Sequence, residues 1–388
     1  MNSKFFYALG GVLPHRLSLQ VKELYWATVL QNLALAMLLL FEPIYLWQQG
    51  VSLQGIVLFF LSVYVLYLFL MPLGAQAATR FGYEHSMAAS TIVQVSYYVC
   101  LFFVAHNFLF LVPAAILYAL QKTFYWPAYH ADFARYSDQS EEGRELSGLV
   151  VVLSTVYITG PIIAGLILQF GSWALLFTAG SLIMLLSNWP LLRTREQFTP
   201  RVFPYADTYR RLFAKENHRS LLGYMGFGEE LVVLVLWPIY ISIIVVAYLE
   251  VGAVVAVATL VTAVATLYVG KLTDERNKHQ VLKLATVLYA FGWLARLAAK
   301  TPFLIFLTDS WSRLTKNVVA VPLTAITYDR AKQRSIMDTV VFYEMSLVVG
   351  KIVACVALLL VFAFVPTANV WSAAWLVAAG FALLYTLI

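Results

Sequence analysis

From about residue 25 to the C-terminus the chain is a succession of apolar runs, each about as long as a bilayer is thick. A membrane-spanning helix needs about 20 mostly apolar residues. Runs separated by charges or turn signals lie near 25–47, 53–78, 86–104, 108–131, 146–170, 172–192, 220–247, 252–272, 280–299, 302–327, 337–363 and 370–388. A water-soluble fold cannot hide so much apolar surface: 61% of the residues are hydrophobic and only 12% charged, against roughly 25% charged in ordinary soluble domains. No stretch is polar enough to form a separate soluble domain. The expected fold is an all-α integral membrane protein of about twelve transmembrane helices.

The distribution of basic residues supports that count. With the N-terminus in the cytoplasm, about 20 Lys and Arg residues fall in inside segments and only Lys300 outside, as the positive-inside rule requires. Gaining or losing one span would destroy this asymmetry. Both termini are therefore expected in the cytoplasm, with a bacterial-type inner membrane suggested by the compact loops. The longest polar stretch, Arg193 to Arg219, divides the spans six and six and reads as a solvated linker on anionic headgroups. The expected organisation is a six-helix half over 1–192, a cytoplasmic linker over 193–219 and a second half over 220–388. Phe5 to Leu13 reads as an interfacial segment rather than a cleaved signal. Cys100 and Cys355 lie far apart in apolar runs, so neither a disulfide framework nor a metal site is suggested.

An internal repeat points to duplication. Glu42-Pro43-Ile44-Tyr45 recurs as Trp237-Pro238-Ile239-Tyr240, an offset of 195. At the same offset Trp126-Pro127 meets Val321-Pro322, Arg135 meets Arg330, and the loop around Arg80 and Gly82 meets the loop around Asp274 and Arg276. Two parallel six-helix repeats with a site at the midplane between them form a known transporter architecture.

The loops carry a more specific signal. Gly270-Lys271-Leu272-Thr273-Asp274, with Arg276 and Lys278 behind it, resembles the helix two–three loop motif of the major facilitator superfamily. The first-half copy keeps Arg80-Phe81-Gly82 but has Thr79 at the acidic position and Ala75 at the glycine position. By this resemblance Arg80, Gly82, Gly270, Asp274 and Arg276 belong to gating loops, where an Asp beside basic residues can form a charge-assisted latch. Gly160-Pro161-Ile162-Ile163-Ala164-Gly165 is similar to the helix-five stretch of proton-coupled exporters in that superfamily. Gly160, Pro161 and Gly165 then mark a kink, and close helix packing explains them equally well.

Ionisable residues inside apolar spans cost about 2.5–3.5 kcal/mol each unless paired or wet. There are ten: Glu42, Lys122, Glu229, Glu230, Arg296, Asp309, Arg313, Lys316, Glu344 and Lys351. Seven lie on the first, fourth, seventh and tenth spans, the helices that line the central cavity in the resembled superfamily. Glu42, Tyr45, Lys122, Trp126, Trp237, Tyr240, Asp309, Arg313 and Lys316 are accordingly the candidate cavity residues, with Trp311 a further apolar wall. Five charges of each sign make pairing the plain explanation for most of them. Glu344 and Lys351 are expected to find partners on the tenth span. Glu229 and Glu230 point about 100° apart on a regular helix, so one partner would not readily serve both, and this pair is the candidate for proton coupling. His130 and Asp132, near the end of the fourth span, read as solvated.

The functional expectation is a secondary transporter for a small organic solute, coupled to protons. Export such as drug/proton antiport stands ahead of import by a proton symporter or uniporter of a small metabolite, an anionic one included. A non-transporting receptor or assembly partner on the same scaffold is the reading of another class. No HExxH, GxSxG or phosphate-loop motif suggests an enzyme. The expected partners are the lipid bilayer, the solute and protons, with no nucleic acid, no cofactor and a monomeric state.

Overall fold

The structure, a computed structural model, describes residues 19–136, 142–193, 203–274, 278–332 and 336–388, and no strand occurs among them. The interfacial segment expected at Phe5 to Leu13 lies outside the described residues. Twelve helices follow one another: α1 (Leu19–Leu38, resuming as Glu42–Gln48), α2 (Leu53–Phe81), α3 (Tyr83–Phe103), α4 (Leu111–Tyr136), α5 (Glu142–Phe170) and α6 (Trp173–Leu186). After a short linker helix, Tyr205–Leu212, come α7 (residues 218–244), α8 (Tyr248–Asp274), α9 (Lys278–Ala295), α10 (Pro302–Lys332), α11 (Ile336–Phe364) and α12 (Val370–Leu383).

Among the described residues, ten of these helices are long and apolar enough to cross a bilayer. The other two are α8, whose described apolar stretch is the shorter Tyr248–Ala263, and α10. At 31 residues α10 is long enough, but Asp309, Arg313 and Lys316 make it polar. Asp309 and Lys316 are paired inside the bundle, and Arg313 meets Asp309 through its Nε while the rest of its guanidinium stays open, as shown below.

The duplication is visible in which helices pack together. The pairs α2–α4, α3–α4, α1–α5, α1–α6 and α3–α6 recur as α8–α10, α9–α10, α7–α11, α7–α12 and α9–α12. The two sets meet along α2–α11 and α5–α8, pairings that exchange when each helix is replaced by its counterpart six places on. The matched prolines also play matched parts. Pro43 and Pro238 each open a new helical segment, because a proline has no N–H for the carbonyl four residues earlier. The chain breaks at residues 39–41 before the first and widens into a π-turn over Val232–Leu236 before the second.

Other interior prolines show how a bilayer helix disposes of a freed carbonyl, which has no water to turn to. Pro72 leaves the Leu68 carbonyl without its helical donor, and the Tyr209 hydroxyl of the linker helix donates to it at 3.2 Å. Tyr205 donates to the Phe69 carbonyl at 3.0 Å, and Arg211 pairs with Asp338 of α11 at 2.6 Å. The linker helix is thus docked against α2 and the start of α11 rather than simply solvated, and the linker side of the molecule is defined by it.

Where helices approach most closely, glycine makes room. An added Cβ at Gly252 of α8 would lie 2.2 Å from the Pro161 carbonyl oxygen of α5, and one at Gly165 of α5 would lie 2.8 Å from the Tyr248 carbonyl oxygen. The α5–α8 crossing is therefore backbone against backbone. We predict that Gly252→Ala lowers the melting temperature of the purified protein, because the Cβ must displace main chain. Gly380→Ala, with nothing within 4 Å of the added carbon, should leave it unchanged or raise it slightly through helix propensity.

Candidate functional site

The interior charges fall into three groups. The first is built on the irregular middle of α7. Met225–Gly228 winds tightly as 3₁₀ helix, Glu229–Leu231 is a single α-turn, and the π-turn follows. Gly226 lies against Tyr385 and Gly228 against Phe381 and the Gly350 carbonyl oxygen, approaches too close for a side chain. Such irregular turns often mark functional sites. Here they change where the two adjacent carboxylates point.

Lys316 of α10 reaches both of them. Its Nζ is bonded to Glu229 Oε1 and lies 3.6 Å from Glu230 Oε1. This corrects the expectation that one partner would not serve both, which assumed a regular helix. Lys351 of α11 takes the other oxygen of Glu230 at 3.0 Å, not a partner on α10 as expected. Tyr289 of α9 donates to Glu229 at 2.5 Å and Tyr385 of the C-terminal turn at 3.1 Å. Glu229 is thereby sealed, at 0% exposure, while Glu230 remains 27% exposed.

The second group is closed off. The Arg296 guanidinium lies between the Trp293 and Trp237 rings, 3.9 and 4.1 Å from their centroids, a cation–π arrangement that partly replaces its hydration. Asp309 accepts from Trp237 Nε1 at 2.9 Å, from Arg296 at 3.4 Å and from Arg313 Nε at 2.6 Å. Trp237 and Tyr240 stack on each other and pack edge-on to Trp375. Tyr240 also donates to the Ala299 carbonyl at 3.0 Å. The structure therefore places Trp237, Tyr240 and Asp309 in a packed aromatic cage rather than on a cavity wall. Arg313 is the exception, 33% exposed, with only its Nε engaged. Trp311 turns away toward α9, its Nε1 on the Leu288 carbonyl at 3.0 Å.

The third group joins the two sets of helices. Glu344 of α11 accepts from the Tyr67 hydroxyl of α2 at 3.1 Å and faces His130 Nε2 of α4 at 3.0 Å. Trp126 stacks on the His130 ring, and Tyr343 meets that ring edge-on. His130 and Asp132 are not solvated, as the sequence had suggested; Asp132 is buried. Glu344 finds its partners on α2 and α4, not on α10. Deeper in the first set, Glu42 accepts from Tyr97 at 2.5 Å, and Tyr97 stacks on Tyr118. The Lys122 ammonium lies over the Tyr118 ring, 4.2 Å from its centroid. Tyr45 is buried and donates to the Phe102 carbonyl at 2.6 Å, the counterpart of Tyr240 on Ala299 and equally removed from a cavity wall.

The loop candidates are more dispersed. Gly82 is the single residue linking α2 to α3, at φ 105°, a conformation glycine adopts without strain. Arg80 is exposed over the Phe81 ring, 5.4 Å from its centroid, and has no carboxylate within 4 Å among the described residues. Gly270 and Asp274 belong to the last turns of α8, where side chains are not described, and Arg276 lies outside the described residues. Gly160 packs on Ala36 of α1 and Gly165 on α8, while α5 runs through Pro161 without interruption. What the sequence did not single out is the set of tyrosine donors, Tyr67, Tyr97, Tyr289 and Tyr385. A Tyr at helical spacing in an apolar run was the only available signal.

Stranding one member of a buried ion pair costs about 3–5 kcal/mol. Asp309→Ala, which leaves Arg296 and Trp237 without their acceptor, should therefore lower the melting temperature steeply. Arg313→Gln, at the open edge of the same group, should cost no more than about 1 kcal/mol. Equal losses in a thermal melt of the two variants would show that the group is not closed as described.

Comparison with known proteins places this geometry in context. The chain is similar in structure to a proton dependent oligopeptide (POT) family transporter, with a TM-score of 0.71 and 13% sequence identity over 94% of this chain and 99% of that one. It is also similar to a variant of the nucleoside transporter NupG, with a TM-score of 0.65 and 13% identity over 95% and 98% of the two chains. No curated protein matches it by sequence. The family model of the Major Facilitator Superfamily matches residues 24–249, more than half of the 388 residues. With its paired six-helix sets and the helix pairings that join them, the chain belongs to the major facilitator superfamily.

Proposed function

We propose that this protein is a proton-coupled secondary transporter that moves a small organic solute by alternating access. Residues 1–192 and 220–388 are the two rocking bodies and residues 193–219 the linker between them. The observation that carries the coupling is the Glu344 contact to Tyr67 and His130, an ionisable pair spanning the two sets of helices. An ionised carboxylate binds its donors about twice as strongly as a neutral group does. A proton on Glu344 weakens the tie between α11 and the α2–α4 pair, and its loss restores the tie. A group whose charge differs in value between two arrangements shifts the balance between them.

Glu229, matched by Lys316 and two tyrosines, serves in this reading as a fixed anchor of α7 to α9, α10 and α12. Glu230, more open and held by Lys351, is the second carboxylate in the path. The structural relative described as proton dependent supports a proton-driven cycle for a chain of this fold. Arg210, Arg211, Arg219 and Arg330 lie on the linker side, which supports placing that side in the cytoplasm of a bacterial-type cell.

Proton release or uptake by the purified protein, followed with a pH-sensitive dye while candidate solutes are added, tests the proposal. A solute that moves protons in the wild type should fail to do so in Glu344→Gln. Glu229→Gln should instead lower thermal stability. If Glu344→Gln keeps the proton signal and Glu230→Gln loses it, coupling belongs to α7. If a solute crosses reconstituted vesicles with no proton movement in the wild type, coupling to protons is wrong.

A further inference from the structure

Within the transporter reading, the pattern of matched and unmatched charges points to the class of solute. Five carboxylates of the spans have polar partners in the bundle: Glu42 has Tyr97, Glu229 and Glu230 share Lys316, Glu230 also has Lys351, Asp309 has two arginines and Glu344 has Tyr67 and His130. The cations are not all matched in return. Lys122 has no hydrogen bond and no carboxylate within 4 Å among the described residues, only the face of Tyr118. Arg313 spends its Nε on Asp309 and leaves both terminal nitrogens of the guanidinium without a partner among the described residues.

These two groups occupy comparable places. Lys122 shares a strip of α4 with Trp126, Tyr129 and His130, four, seven and eight residues on, spacings that bring side chains to one helix face. Arg313 shares a strip of α10 with Lys316, three residues on. The repeat offset of 195 carries Tyr118, the platform under Lys122, onto Arg313. Each six-helix set thus contributes, on equivalent helices, one cation with donors left open.

A cation kept in a bilayer interior without a counter-ion is costly, and an anionic ligand removes that cost. We propose that the transported solute is a small organic anion whose acidic group, a carboxylate or phosphate ester, is bound by Lys122, with Arg313 as the anionic contact of the opposite set. The open fork of Arg313, fixed at Nε by Asp309, suits a bidentate acidic group. Lys122 supplies a point charge on a flexible stem and tolerates either acid.

The test uses the full chain in lipid nanodiscs and measures the shift in melting temperature with added benzoate, succinate, glutarate and glucose 6-phosphate. Benzamide, succinamide, glutaramide and glucose are the uncharged counterparts, and tetraphenylphosphonium is a cationic control. Bound ligand stabilises the folded state by mass action. At least one acid should raise the melting temperature while its uncharged counterpart does not, and its identity separates carboxylate from phosphate. Lys122→Met should weaken that acid's binding by about tenfold or more, and Lys122→Arg should restore most of it. Stabilisation by the cation or the uncharged compounds alone, by none of the acids, or equal acid binding in Lys122→Met would each overturn the inference. Uptake into vesicles separates this failure from that of the transporter reading. Flux of a neutral or cationic solute leaves a transporter without an anion site, whereas Lys122-dependent acid binding with no flux leaves an anion site without transport.

Discussion

A hydrocarbon solvent leaves no charge or backbone group to be rescued by water, and the bundle is arranged around that constraint. The bond from Lys316 to Glu229, continued through Glu230 to Lys351, shows what it demands. Three helices, α7, α10 and α11, are held at fixed register because each charge requires a partner at bonding distance. The tight and wide turns of α7 follow from the same demand. A regular helix would send the two carboxylates in different directions, whereas the irregular one lets a single ammonium touch both. Tyr289 and Tyr385 then occupy two further lone pairs of Glu229. The polar network and the helix geometry determine each other.

Much of the fold was legible in the sequence because it depends on local quantities. Span length follows from apolar run length, whereas the breaks before Pro43 and Pro238, inside runs read as continuous, were not foreseen. The duplication followed from those two prolines keeping one register. The partners of the charges were not legible, since they depend on which helices lie side by side. Lys351 was expected to look to α10, yet it meets Glu230; Glu344 meets a tyrosine and a histidine from the other set. Trp237 and Tyr240 were expected at a cavity wall because they sit on a cavity-lining helix. That expectation ignored which face of the helix they occupy, and Arg296 draws Trp237 into a closed cage. The identical bonds of Tyr45 and Tyr240 to the ends of α3 and α9 show that duplicated residues preserved a structural duty.

The linker illustrates how one solution is reused. A proline in α2 exposes a carbonyl, and a tyrosine from outside the bundle satisfies it. The consequence is that a segment with little apolar surface of its own is tied to the helices it connects, by donors at a spacing of four residues and by the Arg211 pair to α11. Cohesion between the two sets on that side does not depend on covalent continuity alone.

The two seams where the six-helix sets meet are equivalent by topology and unlike in chemistry. Along α5 and α8, main chain lies on main chain through Gly165 and Gly252. Along α2 and α11 the contact includes Tyr67 and Glu344. A molecule made by copying one half has in this way acquired a close backbone seam on one edge and a polar clasp on the other, two unlike joints in an otherwise balanced frame.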